Sequence, residues 1–243
     1  MTLIAQLPTP GGLRELPDLS VYLIVDEGLC HTQGRTVTDT VAQAVAGGVS
    51  CIQVRAKQAD ARSFFSLIAQ VCSVVGDTVP VIINDRVDLY LAARTEGMPV
   101  AGVHVGQRDL PVSVVRRMVG PQAILGLSAS TEQHIACACA DAAGVDYVGV
   151  GALHPTSTKH DAPPALGLSG LQERVGFSAV PVVAIGGINT SDLPALRGMG
   201  VAGAAVASAI CGAPDVTTAA RALRAAWDTG IVTAENNLGE GRA

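Results

Sequence analysis

Eight short apolar runs, each followed by a stretch of helical character, limit what this chain can become. The runs are Val21–Val25, Cys51–Val54, Val81–Ile83, Gly102–Val105, Ile124–Leu127, Tyr147–Val150, Pro181–Ala184 and Gly203–Ala207. They are too short for buried helices and mostly continuous, as strands covered on both faces are. Helices are expected from Thr36 or Thr38 to about Ala46, from Asp60 to Val75 and from Val87 to Ala93, with another opened by Pro111. Further helices are expected over Thr131–Ala143, Leu168–Val175, Ser191–Met199 and Val216–Thr229. Gly47-Gly48 stops the helix that runs to about Ala46. The polar, glycine-punctuated stretch Asp26–Arg35 reads as a loop. A weak internal echo supports the count: AGGVSCIQV, PVAGVHV, AGVDYVGV and GVAGAAV mark the second, fourth, sixth and eighth strands. Strand–helix alternation requires parallel pairing through right-handed crossovers. Eight such units close into a single α/β (β/α)8 TIM barrel with parallel strands. An open doubly wound sheet is the alternative, but its usual GxGxxG first turn is missing. Residues 1–18 read as an N-terminal extension, 19–230 as the barrel and 231–243 as a flexible C-terminal tail.

Composition narrows the function classes. With 49% hydrophobic residues in 243, a large core is available, and only 3% are aromatic. A net charge of -5 without a basic cluster argues against nucleic acid as the main partner. No apolar run reaches membrane-spanning length, and no basic region followed by an apolar core opens the chain. The six cysteines show no metal-site pairing; Cys51, Cys72, Cys137 and Cys139 sit in apolar runs and read as small core residues. A reducing cytoplasm fits this usage.

In a barrel of this kind, functional groups belong at the C-terminal ends of the strands. After the second strand comes Gln53-Val54-Arg55-Ala56-Lys57. Strand periodicity puts Gln53, Arg55 and Lys57 on one face, toward the barrel mouth, if Ile52 and Val54 pack against helices. Two cations there need an anion: Arg55 suits a phosphate in bidentate fashion and Lys57 as a point charge. Asn84-Asp85-Arg86 follows the third strand and Gly106-Gln107-Arg108-Asp109 the fourth. Two carboxylates at neighbouring strand ends can hold one Mg²⁺ together with substrate phosphates and water. Helix capping is the alternative for both aspartates. Ser128, ending the fifth strand, reads alone as a cap. His104, inside the fourth strand, reads as a hydrogen-bonded core residue, and neither His154 nor His160 receives a catalytic role.

The stretch Gly149–Gly167 packs hydroxyls, a lysine and three prolines into one connection. Its Thr156, Ser157, Thr158 and Lys159 offer donors to an anion, although hydroxyls that merely cap turns are the alternative. Gly186-Gly187 after the seventh strand and Ala207-Ser208 after the eighth complete a second anion zone. Two phosphorylated substrates, one of them a metal-bound diphosphate, account for both zones.

These residues resemble the thiamine-phosphate synthase (thiamine-phosphate pyrophosphorylase) family. The matching runs are YLIVD, QVRAK, INDRVDLYLAA, GVHVGQRDLP, GLSAST, DYVGVGALHPTSTKHDAPPALGL, VVAIGGI and AVASAI, in family order from Val21 to Ile210. The resemblance implies joining of 4-amino-2-methyl-5-pyrimidinylmethyl diphosphate to 4-methyl-5-(2-phosphooxyethyl)thiazole or its carboxylated precursor. Thiamine phosphate and diphosphate result, with CO2 from the carboxylated substrate. In the family, diphosphate leaves first, giving a pyrimidine-methyl cation that the thiazole nitrogen attacks. By motif, Gln53, Val54, Arg55, Ala56, Lys57, Asn84, Ser128 and Lys159 would bind the pyrimidine diphosphate, with Arg55, Lys57, Ser128 and Lys159 acting in catalysis. Asp85 and Asp109 would bind Mg²⁺, and Thr156, Ser157, Thr158, Gly187, Ala207 and Ser208 the thiazole phosphate. The implied partners are two small phosphorylated substrates and, as an option, further copies of the chain. Three departures stand out: Ala56 where the family commonly has glutamate, His154 where an aromatic often precedes Pro-Thr, and an apparent insertion around Arg94–Val100. Related readings are a thiazole tautomerase, which needs no metal-diphosphate site, and a non-catalytic thiamine-phosphate sensor, which would have lost those ligands. An indole-glycerol-phosphate-like barrel would explain the late-strand sites but not the paired aspartates.

Overall fold

A computed structural model describes residues 16–141, 144–156 and 164–230. Eight parallel strands close in sequence order into one barrel. They are β1 (Leu19–Asp26), β2 (Cys51–Arg55), β3 (Val81–Asn84), β4 (Val100–Val105), β5 (Ile124–Ser128), β6 (Tyr147–Gly151), β7 (Val182–Ile185) and β8 (Gly203–Val206). The helices between them are α1 (Glu27–Thr32), α2 (Val37–Ala46), α3 (Ala61–Val75), α4 (Val87–Thr95), α5 (Val112–Val119), α6 (Glu132–Ala140), α7 (Gly167–Phe177) and α8 (Leu193–Gly198). A short α9 (Ser208–Cys211) follows β8, and α10 (Val216–Thr229) closes the ring.

Local chemistry sets these boundaries. The Thr36 hydroxyl accepts from the Asp39 amide at 3.0 Å, and Asp60 accepts from Ser63 at 2.8 Å. Such caps are worth about 1 kcal/mol each. In α3 the buried residues Phe64, Leu67, Ile68, Val71, Cys72 and Val75 recur at helical spacing and face the sheet. Gly76, at φ 54, ends the helix where other residues would be strained. Truncating a fully buried member such as Ile68 to alanine costs about 2–5 kcal/mol.

Two apolar layers result. Outward side chains of the strands, including Leu23, Val25, Ile52, Val54, Val103 and Val105, pack with the helices. The inward set, including Tyr22, Ile24, Cys51, Ile82, Tyr147 and Val183, fills the barrel. A Cβ on Gly126 would lie 2.2 Å from the Tyr147 ring and 2.5 Å from His104 Nδ1, so the glycine makes room for both.

Three expectations are corrected. Asp26–Arg35 is not all loop: Glu27–Thr32 is helical, with the Asp26 carboxylate accepting from the Leu29 amide at 3.1 Å. Six residues are too few for a periodic signal. Cys137 is exposed and Cys139 half-buried, because α6 turns that part of its apolar run outward, whereas Cys51 and Cys72 are in the core. The seventh helix region begins as a 3-10 turn, Thr190–Asp192, before α8. The apparent insertion covers the end of α4 and the link into β4, on the side of the barrel away from the C-terminal strand ends. Among the described residues no helix is long and apolar enough to cross a membrane.

Candidate active site

A cavity of about 440 Å³ opens where the strands end. Gln53, Arg55, Lys57, Asn84, Asp85, Asp109, Ser128, Thr156, Gly187, Ala207 and Ser208 all line it. One concave site therefore brings together residues more than 150 positions apart. Val54 and Ala56 do not line it; both are buried in the helix-facing layer, as strand alternation requires. Only their backbone can face a ligand. Ser157, Thr158, Lys159 and His160 lie outside the described residues.

The half of the mouth built by β2, β3 and β4 is charged. Arg55 Nη1 pairs with Asp26 at the end of β1. The cation predicted to await a phosphate thus already has a carboxylate that fixes its orientation. Asp85 stands at φ 61, left-handed backbone that few side chains adopt, and its amide donates to the His104 carbonyl at 2.8 Å. Its carboxyl is pushed above the usual range, first by burial, then by the charge of Asp109; an Asn84 hydrogen bond and the cations Lys57 and Arg55 oppose this. Asp109 accepts from the Gly106 amide at 2.6 Å, which closes a tight turn. Neither aspartate caps the following helix: α4 and α5 have no side-chain cap. Arg86 turns away to a surface pair with Asp88.

Two neighbouring carboxylates that both line the open cavity fit a hard divalent cation. Among the described residues no group of three or more His, Cys, Asp or Glu clusters. The donor set therefore suits an ion that takes its other ligands from phosphate oxygens and water, as Mg²⁺ does.

Among the described residues, the half built by β6, β7 and β8 lines the cavity without a charged side chain. The chain beyond β6 leaves through a neck of backbone bonds: Leu153 donates to Ile185 and His154 to Gly186, both at 2.9 Å. It returns there, with Leu166 donating to Ala152 at 2.8 Å and Gly167 to Leu153 at 3.0 Å. Gly187, at φ 67, leaves no space for a side chain; a Cβ would lie 2.8 Å from that of His154. Ser208 opens α9, directly after β8.

The floor was missed by sequence reading. Gln53 Nε2 donates to the Tyr22 hydroxyl at 2.9 Å, and Tyr22 and Tyr147 share a 2.9 Å hydrogen bond. Tyr147 meets His104 Nδ1 at 3.0 Å, and His104 Nε2 meets Ser128 Oγ at 3.0 Å. His104 is thus the hydrogen-bonded core residue expected, whereas Ser128 is not a cap. Burial first, and mutual proximity second, push the Tyr22 phenol well above its ordinary pKa; burial does the same for Tyr147, so both stay neutral. One self-consistent direction starts at the Gln53 amide and passes each proton along the chain. It ends with Ser128 accepting from His104 and its own proton available to the cavity. The available signal was compositional: only three tyrosines occur, and two stand at inward strand positions. Gln107, which donates to the Ser128 carbonyl at 2.7 Å, and Thr131 also line the cavity unpredicted.

Comparison with known proteins decides the family. Residues 21–210 match the family model described as thiamine monophosphate synthase. The chain belongs to that family. It is 43% identical over 211 residues to the thiamine-phosphate synthase of Corynebacterium efficiens, covering 87% of this chain and 96% of that one. The corresponding enzyme of Vibrio parahaemolyticus is 41% identical over 209 residues, covering 86% and 98%. Among solved structures, the thiamine phosphate pyrophosphorylase from Pyrococcus furiosus superposes with a TM-score of 0.76 at 32% identity, covering 88% of this chain and 98% of that one. The thiamine monophosphate synthase match takes in the C-terminal end of every strand, so both halves of the mouth lie inside it.

Proposed function

We propose that this chain is a transferase of the thiamine-phosphate synthase type, dependent on Mg²⁺. The observation that carries the reading is the joining, in one cavity, of a carboxylate–cation half and a glycine–hydroxyl half. The first suits a metal-bound diphosphate, the second a phosphate monoester. In the reaction, the C–O bond between the pyrimidine methylene and the diphosphate breaks, its electron pair leaving with the diphosphate. The thiazole nitrogen lone pair then forms the C–N bond. The carboxylated thiazole additionally releases CO2.

Asp85 and Asp109 would hold Mg²⁺, which supplies charge neutralisation to the departing diphosphate. Arg55, oriented by Asp26, and Lys57 face the same oxygens, joined by Lys159. Their attraction grows as negative charge accumulates, which is what accelerates departure. Ser128 donates its hydroxyl proton to the diphosphate. Gln53 and Asn84 position the pyrimidine over a neutral floor, where Tyr22 and Tyr147 bring no competing charge. Thr156, Ser157, Thr158, Gly187, Ala207 and Ser208 hold the thiazole phosphate through hydroxyl and backbone N–H groups. No general base is needed, because the attacking nitrogen carries a free lone pair. Fixing both reactants supplies much of the remaining rate. A cytoplasmic setting matches the free thiols.

The test is direct. Purified protein with both substrates and Mg²⁺ is expected to form thiamine phosphate and diphosphate in equal amounts, and a chelator is expected to stop both. Absence of product with both substrates and Mg²⁺ present would overturn the reading. Undiminished turnover in chelator would overturn the metal's part in it.

A further inference from the structure

Resting on that reading, we propose that His154 is a positioning residue for the thiazole-phosphate cradle, acting through Asp192. The neck of backbone bonds holds the connection after β6 only as far as His154. Thr156, which lines the cavity, lies two residues further on. At this point the His154 imidazole reaches across to the next connection, with Nε2 3.0 Å from Asp192 Oδ1. A carboxylate only accepts, so Nε2 carries the proton and donates.

Asp192 is well placed to anchor it. The residue is 8% exposed, and its second oxygen accepts from the Asn189 amide at 2.9 Å. Asn189 Oδ1 in turn accepts from the Ser191 amide at 2.9 Å. The carboxylate is therefore fixed to the turn that immediately follows Gly186-Gly187. One of its oxygens sets the wall of the cradle made by Gly187, and the other sets the wall made by Thr156. Gly187 has no side chain to push His154 away: a Cβ there would lie 2.8 Å from that of His154, 3.1 Å from the Pro155 carbonyl oxygen and 3.2 Å from that of His154. A phosphate caught between the two walls needs their separation held to a fraction of an ångström. An apolar aromatic ring at position 154 would fill the same space but offer a C–H where His154 offers an N–H.

The experiment replaces His154 in two ways and varies each substrate separately. His154→Phe keeps the ring and removes the donor; the KM for the thiazole phosphate is expected to rise about tenfold, while the KM for the pyrimidine diphosphate stays unchanged. His154→Gln returns a donor and is expected to recover the wild-type KM to within about threefold. An unchanged thiazole KM in His154→Phe, or a parallel rise in both constants, would overturn the proposal. Calorimetric titration with the thiazole phosphate reads the same contrast without turnover. An inactive wild type would thus count against the reaction, and the affinities would still decide the role of His154.

Discussion

On the proposed function, the two halves of the mouth would solve the same problem, holding phosphate, with different materials. Between β2 and β4 the work falls to charged side chains: Arg55, Lys57, Asp85 and Asp109. Between β6 and β8 the described residues offer Thr156, Ser208 and the backbone around Gly187, with no charged side chain lining the cavity there. The charged half tolerates internal repulsion, since the Asp85 carboxyl is raised by burial and by Asp109. Among its described residues the other half shows no such conflict, but at Gly187 it depends on left-handed backbone with no room for a Cβ. Charge that must be neutralised as a bond breaks belongs with the leaving group. A phosphate that only has to be held needs shape more than charge.

That contrast is broken most severely at Asp85. Asp85→Asn keeps a side chain tolerant of left-handed backbone, unlike Asp85→Ala, and removes the charge. Turnover is expected to fall about a thousandfold, measured as diphosphate release, while the metal-free protein becomes no less stable. The sign follows from linkage. The folded carboxyl holds its proton to higher pH than the unfolded one, whose value is near 3.8. This residue's contribution is therefore fully present below that value and is lost as pH rises through the raised folded pKa. Urea melts of the two metal-free proteins at pH 7 should favour the variant. A large loss of stability in Asp85→Asn would show that the carboxylate supports the fold and not a metal.

Gly187→Ala attacks the other half. The new methyl would need left-handed backbone and would press on His154, so about 1–2 kcal/mol of stability should go. Affinity for the thiazole phosphate should fall about tenfold or more, with the pyrimidine diphosphate unaffected; calorimetry with each substrate checks this. Equal losses for both would erase the division between the halves. The mildest test lies beneath them. Tyr147→Phe removes the hydroxyl joining Tyr22 to His104 and should cost about 1–3 kcal/mol in urea melts. The accompanying rise should be in the KM for the pyrimidine diphosphate, because Gln53 and Ser128 sit at the two ends of the interrupted chain.

The charged half was legible in the sequence because residue type and strand periodicity together dictated it. Arg and Lys at alternate positions after one apolar run, with aspartates after the next two, have few structural explanations. The first helix was not legible, because Glu27–Thr32 is too short to show a period and contains a glycine. Nor was the pairing of Arg55 with Asp26, which joins residues on neighbouring strands 29 positions apart. The exposure of Cys137 depends on how α6 is rotated, which an apolar run without clear periodicity leaves open.

By itself the sequence determined the eight parallel strands, their closure, and which end of the barrel carries the chemistry. Those follow from short-range rules: apolar run length, helix periodicity, and caps and glycines within a few residues. The tertiary structure alone decided the floor and the contact between His154 and Asp192. Gln53, Tyr22, Tyr147, His104 and Ser128 come from five strands, and His154 meets Asp192 across two connections. Such contacts are set by barrel register and by glycines such as Gly126 that leave space for a distant ring. A linear pattern carries residue types and spacings, but hydrogen-bond geometry between remote segments exists only once the barrel has closed.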